Sequence, residues 1–250
     1  MLIVHDKRLP QGYVDALKVK LPQVSLFPFD GAGSSAAGKV YDSILSHPDI
    51  YFFQLNDNTV VHAPSLTDEQ IRPLKERGMN LIKGAGDPFG TYPDTVRYNA
   101  VRIGRTVLHD LQHTDPVIID AARGEGLETV HVEQGYTRCS TLAVSDNAFI
   151  TSDEEIASAG KALGMEVLLL FPGDVFLAGE KYGFIGGTGG RTPDGTVILL
   201  GDIRRHPQYE AAQDFLIRCA CGHIFLEDMP LYDAGGLFIA GGVQKLFLYR

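Results

Sequence analysis

Three side chains in the second half of the chain could carry covalent chemistry: the Cys139 thiol, the Asp174 carboxylate and the His223 imidazole. A thiolate attacks an electrophilic carbon, an imidazole moves protons to and from a leaving group, and a carboxylate holds a cation or orients a base. Each also has an ordinary structural use. A free cysteine is most often a small buried apolar residue. Asp174 follows Pro172 and Gly173 as a turn residue would, and a histidine opening a strand can bond to backbone. Arg191 and Asn99 could add polar contacts to a bound molecule, although Arg191 also precedes the turn Pro193-Asp194-Gly195. Cys219, Cys221 and His223 have a spacing that invites a metal. Yet Tyr209, Ala212, Leu216 and Cys219 recur at helical spacing, which makes Cys219 a core residue, and no second ligand pair occurs. No metal is therefore expected. The glycine-rich runs 31–35 and 84–88 match neither a Walker sequence nor a dinucleotide unit, and read as connecting loops. Residues 187–190, Gly-Thr-Gly-Gly, read as a mobile loop.

The elements that must position these groups recur along the chain. The spacing predicts a strand pair, a capped helix, a glycine stop and a further strand, four times over. In one copy, strands over 51–55 and 59–62 precede a helix capped by Ser65 or Thr67 and stopped at Gly78, with Pro73 a local conflict inside it. The next has strands over 99–103 and 106–109, a helix opening at Asp115-Pro116, and a stop near Gly124 or Gly126. The next has strands over 141–144 and 148–151, a capping box over 152–155, and a stop at Gly164. The last has Phe184-Ile185 and 196–200 as strands, then a helix from about Pro207 to Gly222.

The N-terminus supplies a strand, a helix and a strand over 2–5, 10–18 and 24–27, lacking only the first strand of the unit. Leu237-Phe238-Ile239 or Leu246-Phe247-Leu248 could provide it. The prediction is a ring of five ββαβ units, closed by strands from both termini, with the first strand of each unit lining the axis. Closure would remove free sheet edges. Functional groups should then cluster at the ends of the first strands, where Cys139 and Asn99 lie.

Composition bounds the rest. With 250 residues, 44% hydrophobic and 21% charged, the chain can bury a sizeable core, and one domain over residues 1–250 is expected. A net charge of −9 disfavours nucleic acid or an anionic membrane as a partner. No transmembrane run and no secretory signal are visible, and three cysteines, an odd number, favour a reducing, cytoplasmic setting over a disulfide framework.

The order Gly173-Asp174-Val175, then Gly179, then Arg191-Thr192, resembles the guanidino-group-modifying enzymes of the pentein fold, dimethylarginine dimethylaminohydrolase in particular. Pro172 stands where that family has a further glycine. The family's catalytic histidine opens the strand after the next helix, which is the place of His223, and its acidic substrate-holding residue falls at Cys139 or Ser140. The resemblance spans residues 139–240, and the remainder of the chain only through the repeat. It implies an α/β pentein, a five-bladed propeller, that cleaves a C–N bond of a small amidine or guanidine without metal or organic cofactor. Cysteine, histidine and aspartate would act together, with a small cationic or zwitterionic ligand.

The family's nucleophilic cysteine lies close to the C-terminus. Residues 231–237 contain none, and neither does the permuted position around 46–49. Cys139 is the thiol that a first strand could turn to the axis instead, with Arg138 placed to lower its pKa. The alternative is a non-catalytic pentein similar to the ribosome anti-association factor, or an enzyme relic, which leaves a protein partner open.

Overall fold

The structure is a computed structural model that describes residues 1–33 and 40–241. The chain begins with β1 (Leu2–Asp6), α1 (Gln11–Lys20) and β2 (Ser25–Phe29). A second set follows: β3 (Phe52–Asn56), β4 (Thr59–His62), α2 (Asp68–Glu76) and β5 (Asn80–Lys83). A third comprises β6 (Val101–Ile103), β7 (Thr106–His109), α3 (Pro116–Gly124) and β8 (Glu128–His131). The single turn α4 (Thr137–Ser140) leads into β9 (Thr141–Ser145), β10 (Ala148–Thr151), α5 (Glu154–Ala162) and β11 (Glu166–Leu169). After the short β12 (Val175–Phe176) come β13 (Gly189–Arg191), β14 (Val197–Leu199), α6 (Tyr209–Arg218) and β15 (His223–Phe225). The short β16 (Leu231–Tyr232) and β17 (Phe238–Ala240) complete the described strands.

Five three-stranded sheets share one plan. The middle strand pairs antiparallel with the first strand and parallel with the third, across the helix. In the N-terminal sheet β17 takes the first position, pairing antiparallel with β1 through Ile3 and Ile239, while β2 lies parallel on the other side. The closing strand expected at 237–239 is thus present, and the alternative, Leu246-Phe247-Leu248, lies outside the described residues. The strands β12 and β16 form a separate parallel pair.

The middle strands β1, β4, β7, β10 and β14 are buried along their whole length, whereas β5 and β8 expose both ends. That difference follows from parallel crossovers, which put a helix on one face of the middle strand. Ile71 and Leu74 of α2 and Ile118 and Ala122 of α3 pack in one core with Val60 and Val107. Ile156 of α5 packs with Phe149, and Phe215 and Leu216 of α6 with Val197 and Leu199. Gly160 lets α5 sit directly on the Phe149 ring, where any Cβ would collide.

First strands neighbour one another in the order β3, β6, β9, β13, β17. From β17 back to β3 the Phe238 and Phe52 rings lie 5.5 Å apart, and Gln54 Nε2 donates to Ile239 O at 3.0 Å.

The structure differs from the sequence expectation in a few places. Asp153, not Ser152, caps α5, accepting from Glu155 N and Ile156 N. The helix α2 continues past Pro73, held at its start by a full capping box between Thr67 and Gln70. The helix α6 ends at Arg218, and the left-handed residue that turns the chain is Ala220, not Gly222. Residues 187–190 form a buried turn and the start of β13, and the expected strand at Phe184-Ile185 is absent. Their glycines answer to close packing: a Cβ on Gly187 would strike the Asp233 carboxylate, and one on Gly190 the Leu237 carbonyl.

Candidate active site

A short turn precedes several first strands and delivers a polar residue to one shared place. The turn Pro48–Ile50 supplies Asp49, the residue after Asp94–Val96 and the following arginine and tyrosine is Asn99, and α4 supplies Cys139. Cys139 is therefore not on a strand, as the sequence suggested, but in a helical turn leading into β9. The Cys139 thiol donates to Asp49 Oδ2 at 2.9 Å. Asn99 Nδ2 donates to Cys139 Sγ at 3.1 Å and to the Asp49 carbonyl at 3.2 Å, while Asn99 Oδ1 accepts from Cys139 N at 3.1 Å. One amide thus ties three neighbouring turns together. All three residues are buried, and Asp49 Oδ1 has no hydrogen-bond partner.

A second layer lies beside this cluster. His47 sits between two buried carboxylates, with Nε2 at 3.8 Å from Asp6 Oδ2 and Nδ1 at 3.9 Å from Asp233 Oδ1. Asp233 is fixed by Phe184 N at 2.8 Å and Gly235 N at 3.0 Å. Asp6 accepts from Arg8 Nη2 at 2.6 Å and Arg8 N at 2.7 Å. Gly235 has φ +68°, and a Cβ there would overlap His47, so a left-handed glycine is what admits the imidazole.

Burial pushes the Asp49 carboxyl up to about 6, opposed by His47, Arg138 and the thiol hydrogen bond. Burial also pushes the Cys139 thiol well above its ordinary value, and the Asp49 and Asp233 carboxylates push it further. Arg138 does not lower it. The guanidinium is bonded instead to the Gly186 and Gly189 carbonyls at 2.8 and 3.0 Å.

A cavity of 670 Å³, which only Asp49 of this cluster lines, runs along the first strands. Residues of β3, β6, β9, β13 and β17 all line it, among them Gln54, Arg102, Ala143, Arg191 and Phe238. Asp49, Arg138 and Gly235, which precede first strands, lie at one end. Asp57, Arg105, Asp146 and Asn147, in the hairpin turns that follow first strands, lie at the other.

Of the side chains singled out in the sequence, Cys139 and Asn99 meet behind Asp49, and Arg191 lines the cavity at its hairpin end. Asp174 and His223 do not join Cys139. Asp174 is exposed in the loop before β12. His223 opens β15, stacks on Phe225 at 5.9 Å and points Nδ1 at Cys221 O, 3.3 Å away. The reason is topological. Because β15 is parallel to β14, its first residue pairs with Val197 at the hairpin end of the sheet, opposite the turns that hold Cys139. Cys219 and Cys221 line a separate cavity of 420 Å³, and among the described residues no group of three His, Cys, Asp or Glu side chains could hold a metal ion.

Asp49, His47 and Asp233 are the members that sequence reasoning missed. Segments 46–49 and 231–237, searched for a cysteine, look empty; searched for titratable side chains, they hold all three.

The sequence matches the model of DUF6873, a family of unknown function, over residues 32–238. The chain belongs to DUF6873. No curated protein matches it. Among solved structures, this DUF6873 protein is similar to a dimethylarginine dimethylaminohydrolase adduct with 4-chloro-2-hydroxymethylpyridine, at TM-score 0.52 and 9% identity, over 90% of this chain and 91% of that one. It is similar also to agmatine deiminase of C. jejuni, at TM-score 0.51 and 11% identity, over 92% and 90%. A third is an amidinotransferase of saxitoxin biosynthesis from Microseira wollei, at TM-score 0.50 and 9% identity, over 90% and 88%. At such identities the likeness speaks for the fold. This is the mixed α/β pentein fold of the guanidino-group-modifying enzymes, and no described helix is long and apolar enough to cross a membrane.

Proposed function

We propose that this DUF6873 protein is a single-domain, five-bladed β/α propeller that hydrolyses a C–N bond of a small amidine or guanidine, with Cys139 as the nucleophile. The propeller reading is supported by five sheets of one plan whose first strands neighbour in order and together line one cavity. The observation that carries the chemistry is the buried contact of the Cys139 thiol with Asp49, a residue of the cavity lining whose buried Oδ1 has no hydrogen-bond partner. Asp49 Oδ1 would accept from an amidinium N–H. A cation there cancels the carboxylate charge that holds the thiol protonated, and so favours the thiolate. The thiol proton passes to His47, sulfur bonds to the amidine carbon, and the C–N bond breaks as the amine leaves with that proton. Water, giving a proton back, cleaves the thioester-like adduct to the carbonyl product and free thiol. The roles that the sequence offered to Asp174 and His223 pass to Asp49 and His47. The three free thiols support a reducing, cytoplasmic setting.

The test is release of ammonia or amine from a panel of amidines and guanidines, with 2-chloroacetamidine labelling followed by mass spectrometry. Turnover by the wild type, its loss in Cys139→Ala, and labelling at Cys139 in preference to the half-buried Cys219 and Cys221 are the expected results. Turnover unchanged in Cys139→Ala overturns the assignment. One observation favours a second reading, a pentein that binds without catalysis: Cys139 is 3% exposed and its thiol is pushed up rather than down. Tight binding of an amidine with no turnover and no labelling would decide for it.

A further inference from the structure

The helix α6 ends as α2, α3 and α5 do, except in residue type. After α2, α3 and α5 the chain turns through a left-handed glycine: Gly78, Gly126 and Gly164. The glycine N–H bonds three residues back, and the N–H of the next residue, Met79, Leu127 or Met165, bonds five residues back. After α6 the same two bonds recur, Ala220 N to Ile217 O at 2.9 Å and Cys221 N to Leu216 O at 3.0 Å. Here the left-handed place goes to an alanine at φ +50°, whose Cβ opposes that conformation, and a cysteine stands on each side of it. The two backbone bonds thus pin a turn that the side chain resists. Like a helical residue, a left-handed one spans about 5.4 Å between the Cα atoms on its two sides. Disulfides commonly have about 5.5–6 Å there. Both cysteines line one cavity of 420 Å³, walled also by Val144, Arg191, Asp194 and Gly195. Cys221 Sγ donates to Gly222 O at 3.2 Å, and Cys219 is the less enclosed of the two.

We propose that Cys219 and Cys221 are a dithiol–disulfide couple, a modification site at which a small disulfide of the glutathione type closes a bond across Ala220. Cys219, as thiolate, attacks one sulfur of the small disulfide; a mixed disulfide forms and one small thiolate leaves. Cys221, as thiolate, then attacks the Cys219 sulfur, the Cys219–Cys221 bond forms and the second small thiolate leaves. Two protein thiols are oxidised, the small disulfide is reduced to two thiols, and these take up the two protons. Half-buried thiols admit a small disulfide and keep out the surface of another folded chain. Arg218 facing Cys219 and Arg191 facing Cys221 favour the attacking thiolates, against Glu166 beside Cys219 and the Asp194 carboxylate in the cavity wall. Burial outweighs the arginines and pushes both thiols up. The reduced pair is therefore not held as thiolate, which favours the disulfide at equilibrium. The couple goes beyond the hydrolase reading and needs neither Cys139 nor turnover.

The test is equilibration of the full chain with glutathione and glutathione disulfide at graded ratios, followed by alkylation in denaturant and tryptic mass spectrometry. Cleavage after Arg138, Lys161, Arg218 and Lys245 puts Cys139 in the peptide 139–161 and the pair together in 219–245. The expected product is a 219–245 peptide that takes up no alkyl group and has lost two hydrogens. Cys219→Ser and Cys221→Ser should each stop at a glutathione adduct on the remaining thiol of the pair, and Cys139→Ser should leave the couple unchanged. The same titration in urea gives the constant of the unfolded chain, in which nothing fixes the turn. The folded chain should favour the disulfide about tenfold or more over the unfolded one, and by linkage the oxidised chain should then have the higher Tm. Equal constants for the folded and unfolded chain overturn the proposal. So does a pair that stays fully alkylated in excess glutathione disulfide, or one that gains glutathione without forming the link.

Discussion

Asp49 is the residue on which the candidate site turns, and its environment makes a pH prediction with a fixed sign. Its carboxyl is held at about 6 against an ordinary 3.8, chiefly by burial, with His47, Arg138, Cys139 and Asp233 facing it. The folded chain therefore keeps a proton that the unfolded chain releases above about pH 4. Stability attributable to Asp49 falls as pH rises from about 4 through 6, by a total on the order of 3 kcal/mol, and the deficit persists above that window. Asp49→Asn keeps an acceptor for the thiol but never ionises. Urea denaturation should find it close to the wild type at pH 4 and more stable at pH 7.5. A difference that does not change between those two pH values would show that Asp49 does not titrate there. This residue was hidden in the sequence because its partners come from separate units. Cys139 and Asn99 were legible, since each stands just before a first strand, but Asp49 carries no neighbouring motif. His223 misled for the opposite reason: it has the right order along the chain and lies at the wrong end of its sheet.

At the scale of the element, the helices were legible wherever a capping residue and a left-handed glycine bracket them, as Thr67 with Gly78 and Asp115 with Gly126 do. The short turns before the first strands were not. They are a single turn long, below the length at which periodicity shows, and their conformation answers to packing between neighbouring units. The caps themselves differ in what they hold. Asp153 caps α5 through Glu155 N and Ile156 N at a partly exposed position, with one further bond from Gln134 Nε2. Asp115 is fully buried. Besides Val117 N of its own helix it accepts from Ala85 N and Gly86 N in the loop after β5, with Tyr98 Oη 3.3 Å away. Removing it strips three part-buried backbone donors in two units of their acceptor and the buried Tyr98 hydroxyl of a neighbour, whereas removing Asp153 strips two backbone donors of its own helix. Asp115→Ala should cost about 3 kcal/mol and Asp153→Ala about 1 kcal/mol in chemical denaturation. Equal costs would mean that the loop contacts of Asp115 add nothing to its role as a cap.

At the scale of the whole molecule, the arrangement predicts how damage at one strand spreads. The strand β17 is the last described strand, yet it pairs with the first, β1, and touches β3 through Phe238 and Ile239. The repeat made this legible in advance, because the N-terminal unit lacks a first strand that only the other end of the chain can give. If β17 completes a closed set of sheets, truncating its buried ring weakens the units on both sides of it, and opening the ring there weakens the set as a whole. If it is an appendage, the same truncation frays one edge and leaves the rest standing. Phe238→Ala distinguishes these. The loss of a buried aromatic at this seam should cost about 3 kcal/mol, and the form of the loss is what matters. The chain has 10 tyrosines and no tryptophan, so tyrosine fluorescence reports from several units while far-ultraviolet circular dichroism reports the backbone as a whole. Closure requires both signals to shift to lower denaturant together, in one transition. A first, shallow transition with the main one unmoved would make β17 an appendage and would remove the support that closure lends to the propeller.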